Sequence, residues 1–244
     1  MTDSFFRLFA ILIVSALFFG SCEEGDEGSE NQNNDQAEEG QFTDTTLTDI
    51  DGNVYDIIKI GDQYWMAENL KTTTYNDETP IQLETDNSSW SNLTKGAYSW
   101  YDNDSASYSD KYGALYNWYA VETEKLCPEG WHVPTNEEWK TMTDFIVQEG
   151  YSNSIATALK DTTAWDKDGE DFGTDKFGFT AMPAGKRRGS DGVFGNIGYD
   201  GYWWTATNFT SSDALGKTIL YDNSNVYGYD YNKRNGFSVR CVRD

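Results

Sequence analysis

From residue 42 onward the chain alternates short apolar runs with turn residues, and the period of each run predicts its element. In TLTDIDGNVYDIIKIGDQYWMAENL, residues 46–70, the pairs Asp51-Gly52 and Gly61-Asp62 separate three apolar runs. Such pairs favour tight hairpin turns, so the spacing predicts a three-strand meander. Residues 71–112 are polar, with Trp90, Tyr98, Trp100 and Tyr101 as isolated anchors, and predict ordered loops. Tyr112 to Glu122 has a helical stripe of Leu115, Trp118 and Tyr119 and predicts a short helix. In residues 127–150, Thr135 and Glu138 have capping-box spacing, and Trp139, Met142, Phe145 and Ile146 share one helical face that ends near Gly150. Towards the end, Tyr227, Tyr229 and Tyr231 recur with period two after an Asn223-Ser224-Asn225 turn, and Phe237, Val239 and Cys241 do the same in a final strand. The pattern predicts an α+β fold of short antiparallel strands, two or three short helices and long ordered loops. Sixteen Tyr and nine Trp against 4 Pro suit short strands and turns better than long amphipathic helices.

Charge narrows the partners. With 18 Lys and Arg against 41 Asp and Glu, the net charge of −23 repels phosphate backbones and anionic headgroups, so no nucleic-acid partner is expected. The N-terminus predicts a destination. Phe5 to Phe19 is an apolar run broken only by Arg7 and Ser15, the length of a signal h-region and short for a permanent span. Phe19-Gly20-Ser21-Cys22 resembles a bacterial lipobox, which implies a signal peptide over residues 1–21 and lipidation of Cys22. Residues 22–41 are acidic and almost without apolar side chains, so a disordered tether is expected there. An acidic stretch after a lipidated cysteine also resembles the surface-export signal of Bacteroidetes lipoproteins. The expectation is an exported lipoprotein of the bacterial outer membrane, at the cell surface, that touches the membrane only through its lipid. Residues 42–244 would form the domain.

GWHVPTNEEW, residues 130–139, resembles the start of a helix found in formylglycine-generating-enzyme-like and C-type-lectin-like domains. Residues 201–244 are similar to the end of the Fibrobacter succinogenes major paralogous domain, and Asp49 to Leu70 resembles that family's opening motif. The resemblance covers about residues 45–244 and implies a C-type-lectin-like mixed fold on a secreted or surface protein, with no enzymatic activity to carry over. With Cys22 assigned to lipid, Cys127 and Cys241 remain as an even pair in an exported chain, so a disulfide between them is expected.

The candidate chemistry is sparse. His132, the single histidine, lacks a nucleophile motif beside it and suits the core or rim better than catalysis. No catalytic residue is assigned. The acidic stretch after Trp165 offers Asp166, Asp168, Glu170, Asp171 and Asp175 as weak calcium ligands, without EF-hand spacing; Asp102, Asn103 and Asp104 make a second acidic loop. No cofactor is expected beyond this calcium candidate. A ligand-binding surface is expected at Trp203, Trp204, Tyr221, Asn223, Asn225, Tyr227, Tyr229, Tyr231 and Arg234, because aromatic faces beside amides and a guanidinium suit neutral carbohydrates and protein loops. The expected function is non-enzymatic recognition of an extracellular glycan or protein. The alternatives are an enzyme acting on cell-surface polysaccharide and a structural subunit of a surface assembly.

Overall fold

The first turn shows how the opening meander is fixed. In a computed structural model, which describes residues 43–166 and 173–243, strands β1 (Thr46–Thr48) and β2 (Val54–Ile60) are antiparallel, with Leu47 opposite Tyr55. Asp49 pins the turn between them. Its carboxylate accepts the amides of Asp51 (3.0 Å) and Asn53 (2.9 Å) and the Tyr55 hydroxyl (2.6 Å), while Gly52 takes φ = +84°. Gly61 (φ = +63°) turns β2 into β3 (Gln63–Met66), which completes the expected meander. The expected signal peptide and tether, and Cys22, lie outside the described residues.

The following segment is more structured than its polarity predicts. It contains β4 (Gln82–Leu83), helix α1 (Asn87–Ser91) capped by Asp86, β5 (Ala97–Ser99) and helix α2 (Ser105–Tyr112) capped by Asp104. The helix expected over Tyr112–Glu122 is instead three pieces. α2 stops at Gly113 (φ = +74°), β6 (Leu115–Tyr116) pairs with β5, and Asn117 caps the one-turn helix α3 (Trp118–Val121). Burial explains the difference: Leu115 and Tyr116 are both buried, and a strand in this position covers both faces where a helix would expose one. The longest helix among the described residues, α4 (Asn136–Ile146), carries the expected capping box and buries Trp139, Met142 and Ile146. It runs on into a π-helical turn, Val147–Tyr151, where Gly150 reaches φ = +97°. Helix α5 (Ile155–Leu159) precedes the strands β7 (Ala184–Arg187), β8 (Phe194–Ile197), β9 (Asp200–Asn208), β10 (Asp213–Leu220), β11 (Val226–Asn232) and β12 (Val242–Arg243).

The described strands form sheets in the orders β1-β2-β3-β12, β11-β10-β9-β7-β8 and β4-β5-β6. Most pairings are antiparallel, β4–β5 and β7–β9 being parallel, so the fold is of the mixed α+β kind. Strand β9 divides two apolar clusters. Trp204 and Tyr202 pack with Tyr55, Met66, Phe237 and Val239, while Trp203 packs with Trp65, Trp139 and Phe179. The period of two thus sends neighbouring tryptophans to opposite cores. Truncating either to alanine is of the kind that costs about 3–5 kcal/mol.

Phe237, Val239 and Cys241 all join the first of these clusters, as their alternation predicts. Cys241 is bonded to Cys127 across a sequence separation of 114 residues. Closing a loop of this size removes unfolded-state entropy equivalent to about 4–5 kcal/mol in the chain-entropy model. Replacing both cysteines by alanine is therefore expected to lower the melting temperature by roughly 10 °C, and a reductant should reproduce that loss in the wild type. Thermal denaturation by circular dichroism with and without reductant measures both.

Candidate functional site

Two loops that are basic in sequence meet at one cleft. The first follows β7, whose last residue, Arg187, is wholly buried between the Trp90 and Phe194 rings, 4.4 and 4.7 Å from its guanidinium. Its nitrogens donate to the carbonyls of Glu84, Thr85 and Gly192 and to Asn87 Oδ1. These bonds hold the hairpin loop against the segment around α1. Gly192 (φ = +72°) makes that approach possible, since a Cβ there would stand 2.3 Å from the Asn87 carbonyl oxygen. The loop is closed internally by Arg188, which donates to both carboxylate oxygens of Asp191 at 3.0 and 2.7 Å.

The second loop is the turn after β11. Asn232 accepts the Arg234 amide through its side-chain oxygen (3.1 Å) and the Asn235 amide through its carbonyl (2.9 Å), and the Trp90 indole donates to the Arg234 carbonyl at 2.8 Å. Gly189 joins the two loops: its amide donates to Asn235 Oδ1 at 2.9 Å, and a Cβ on it would lie 2.8 Å from the Arg234 carbonyl carbon. Between them opens a cleft of about 400 Å³ lined by Lys186, Arg188, Gly189, Ser190, Asn232, Arg234 and Asn235.

The cleft is rich in hydrogen-bond donors. Arg234 Nε is buried without a hydrogen-bond partner, a state that costs about 1–3 kcal/mol, and among the described residues no carboxylate pairs with this guanidinium. Lys186 donates to the Tyr202 hydroxyl at 3.1 Å and lies 4.5 Å from the centre of that ring. Burial pulls its ammonium below the usual lysine range, against the opposing influence of Asp200, which itself accepts the Tyr202 hydroxyl at 2.9 Å. The side-chain oxygens of Asn232 and Asn235 are both taken by backbone amides, which leaves their NH₂ groups as the donating ends.

Of the residues predicted from sequence, Arg234 lies in this cleft, and the others divide. Trp203 and Trp204 have 0% exposure and are corrected from surface to core. Their indoles donate inward, to Asn69 Oδ1 and the Tyr116 carbonyl at 2.9 and 2.8 Å. The tyrosine ladder exists and is graded. Tyr231 is packed against Phe237 with centroids 4.9 Å apart, its hydroxyl 2.6 Å from that of Thr218, and its ring crosses Gly216, where a Cβ would come within 3.0 Å. Tyr229, 52% exposed, stacks on Tyr227 at 5.9 Å with 13° between the rings. Tyr221, Asn223 and Asn225 sit at the opposite end of β11, roughly 20 Å from the cleft by strand rise. There Asn223 Oδ1 accepts the Asn225 amide, and Lys160 Nζ binds the Tyr221 and Asn223 carbonyls. Sequence reasoning missed Lys186, Arg188, Ser190, Asn232 and Asn235. The available signal was Lys186-Arg187-Arg188, the single run of three adjacent basic residues in the chain, together with Lys233-Arg234.

Residues 58–243 match the model of the Fibrobacter succinogenes major domain. The chain belongs to that family. The match takes in every element from β2's second half to β12, and therefore both walls of the cleft. No curated protein and no solved structure matches this member of the family. Its calcium candidates Asp168, Glu170 and Asp171 lie outside the described residues, and Asp175 is occupied by the Thr180 amide and hydroxyl at 2.7 and 2.9 Å. Asp166 donates its amide to the Gly198 carbonyl. Among the described residues no three His, Cys, Asp or Glu side chains are grouped closely enough to hold a metal. His132 is on the rim, 46% exposed, with Nε2 2.5 Å from Glu138 Oε1.

Because Gly189 sets the spacing of the two walls, Gly189→Val should destabilise the domain by about 1–3 kcal/mol through overpacking, whereas Gly195→Val, where nothing stands within 4 Å of an added Cβ, should cost less than about 1 kcal/mol. Urea denaturation of the two variants makes the comparison.

Proposed function

We propose that this chain is a surface-anchored lipoprotein whose domain, of C-type-lectin-like character, is a non-enzymatic binding module for an extracellular glycan. The observation that carries this reading is the junction of the donor-rich cleft with the tyrosine row. Lys186 reaches the Tyr202 hydroxyl, Tyr202 packs on Tyr231 at 6.1 Å, and Tyr231 leads through Tyr229 to Tyr227. A saccharide seated in the cleft would find donors for its ring and hydroxyl oxygens there, and flat apolar area for the next ring at Tyr229. Such area carries little entropy cost, since a tyrosine has only two χ angles to fix. The lining groups are amides, a hydroxyl and cations, a set suited to holding a ligand and without a facing pair of carboxylates for glycoside hydrolysis. Export and anchoring rest on the apolar segment before Cys22 and on Cys22 itself. Among the described residues no helix is long and apolar enough to cross a membrane.

The test is a glycan array probed with the full-length chain in detergent. Saturable binding to at least one glycan class is expected, weakened about fivefold or more by Tyr229→Ala, in line with an aromatic contact of about 1 kcal/mol. Binding unchanged in a folded Tyr229→Ala variant would remove the tyrosine row from the site. An array without any bound glycan would defeat the glycan reading.

A further inference from the structure

The strongly negative net charge argues for neutral or cationic ligands, yet the cleft has the opposite local character. Lys186, Arg188 and Arg234 converge on it, and the carboxylates beside them are Asp191, occupied by Arg188, and Asp200, occupied by the Tyr202 hydroxyl and the Asn196 amide. Arg234 is left uncompensated, with its buried Nε lacking an acceptor. The side-chain oxygens of Asn232 and Asn235 are turned into the fold, where they accept the Arg234 and Gly189 amides. A cleft that presents donors and cations from both walls has specificity for a ligand that brings acceptors and negative charge.

We propose that the cleft recognises an anionic saccharide, one whose carboxylate or sulfate group binds Arg234 and Lys186 while the adjoining sugar ring lies towards Tyr229. This rests on the glycan reading above and narrows it to a class. A guanidinium meets a planar carboxylate or a sulfate through two parallel hydrogen bonds, and the half-buried position of Arg234 shields that contact from competing water. The tyrosine row distinguishes a saccharide from an acidic peptide, because it extends the site with ring faces and adds no further cation. The remaining negative charge of the chain opposes indiscriminate binding of polyanions, so affinity has to come from the fit in the cleft.

Calorimetric titration of the full-length chain in detergent, at about 0.15 M ionic strength, tests this with four probes. These are an oligogalacturonate, the same oligosaccharide with its carboxyl groups reduced to alcohols, a sulfated dextran oligosaccharide and a polyglutamate of similar length. At least one charged saccharide should bind about tenfold or more tightly than the reduced one, with Arg234→Gln removing the preference. Preference for the galacturonate identifies a uronic acid as the source of the anion, and preference for the dextran sulfate identifies a sulfate ester. If Arg234→Gln alters the melting temperature, Lys186→Gln serves as the second variant, and it should lower the preference at least threefold or so. Equal binding of reduced and charged saccharides, sensitive to Tyr229→Ala, overturns this inference and leaves the glycan reading standing. Polyglutamate binding as tightly as the charged saccharides overturns it in favour of an acidic protein ligand. Absence of binding by all four overturns this inference, while the glycan array decides the glycan reading separately.

Discussion

The segment Gly236–Val242 binds strands from separate parts of the domain to one another. Read along it, Gly236 exchanges hydrogen bonds with Arg187 on β7, Phe237 with Tyr116 on β6, and Ser238 with Tyr202 and Trp204 on β9. Val239 then accepts from Leu70, Cys241 accepts from Met66 at the end of β3, and Val242 exchanges bonds with His132. Each successive residue thus closes onto a different part of the chain. Its side chains alternate in the same way, with Phe237, Val239 and Cys241 in one apolar cluster and Val242 in the other. Between them Arg240 is wholly buried, donating to Asn69 Oδ1 and to the carbonyls of Phe179 and Thr180. An unpaired buried charge is expensive, so this arginine is tolerable only where carbonyl oxygens are already fixed to receive it. The Cys127–Cys241 bond ties the same segment to the loop that leads into α4.

The candidate site is a product of that arrangement. Gly236 lets β7 approach closely: a Cβ there would lie 2.9 Å from the Trp90 ring and 3.0 Å from the Arg187 side chain. Trp90 in turn holds the Arg234 carbonyl, and Arg187 holds the hairpin loop, so one buried arginine and one buried tryptophan position both walls. Neither takes part in the cleft's own lining. The cations next to them, exposed Arg188 and half-buried Arg234, are therefore carried on rigid supports even though both belong to loops. A chain with net charge −23 can in this way keep one small region where positive groups outnumber the carboxylates left unoccupied.

How much of this was legible in the sequence varied with the range of the interaction that decides it. Local signals read correctly: the Asp51-Gly52 and Gly61-Asp62 turns, the Thr135–Glu138 capping box and the shared apolar cluster of Phe237, Val239 and Cys241 are each settled within a few residues. Tyr112–Glu122 failed because tertiary burial of Leu115 and Tyr116 overrode a weak helical stripe. Trp203 and Trp204 failed for a related reason. Their place in an aromatic-rich stretch suggested a surface, but β9 is a central strand covered on both faces, which the order β10-β9-β7 reveals and periodicity does not. The cleft itself joins residues 186–190 to 232–235, and nothing local announces that contact. Only the basic composition of the two stretches hinted at it.

Native-state hydrogen exchange followed residue by residue measures most directly whether the C-terminal segment holds the domain together. The amides of Tyr116, Trp204, Phe237, Ser238 and Val242, all bonded along the C-terminal segment, are expected to open only in global unfolding and to share one opening free energy. Exchange of the Phe237–Val242 amides by a local opening several kcal/mol cheaper than that of β9 and β10 would contradict it, and would show the segment to be a late addition to a fold already complete without it.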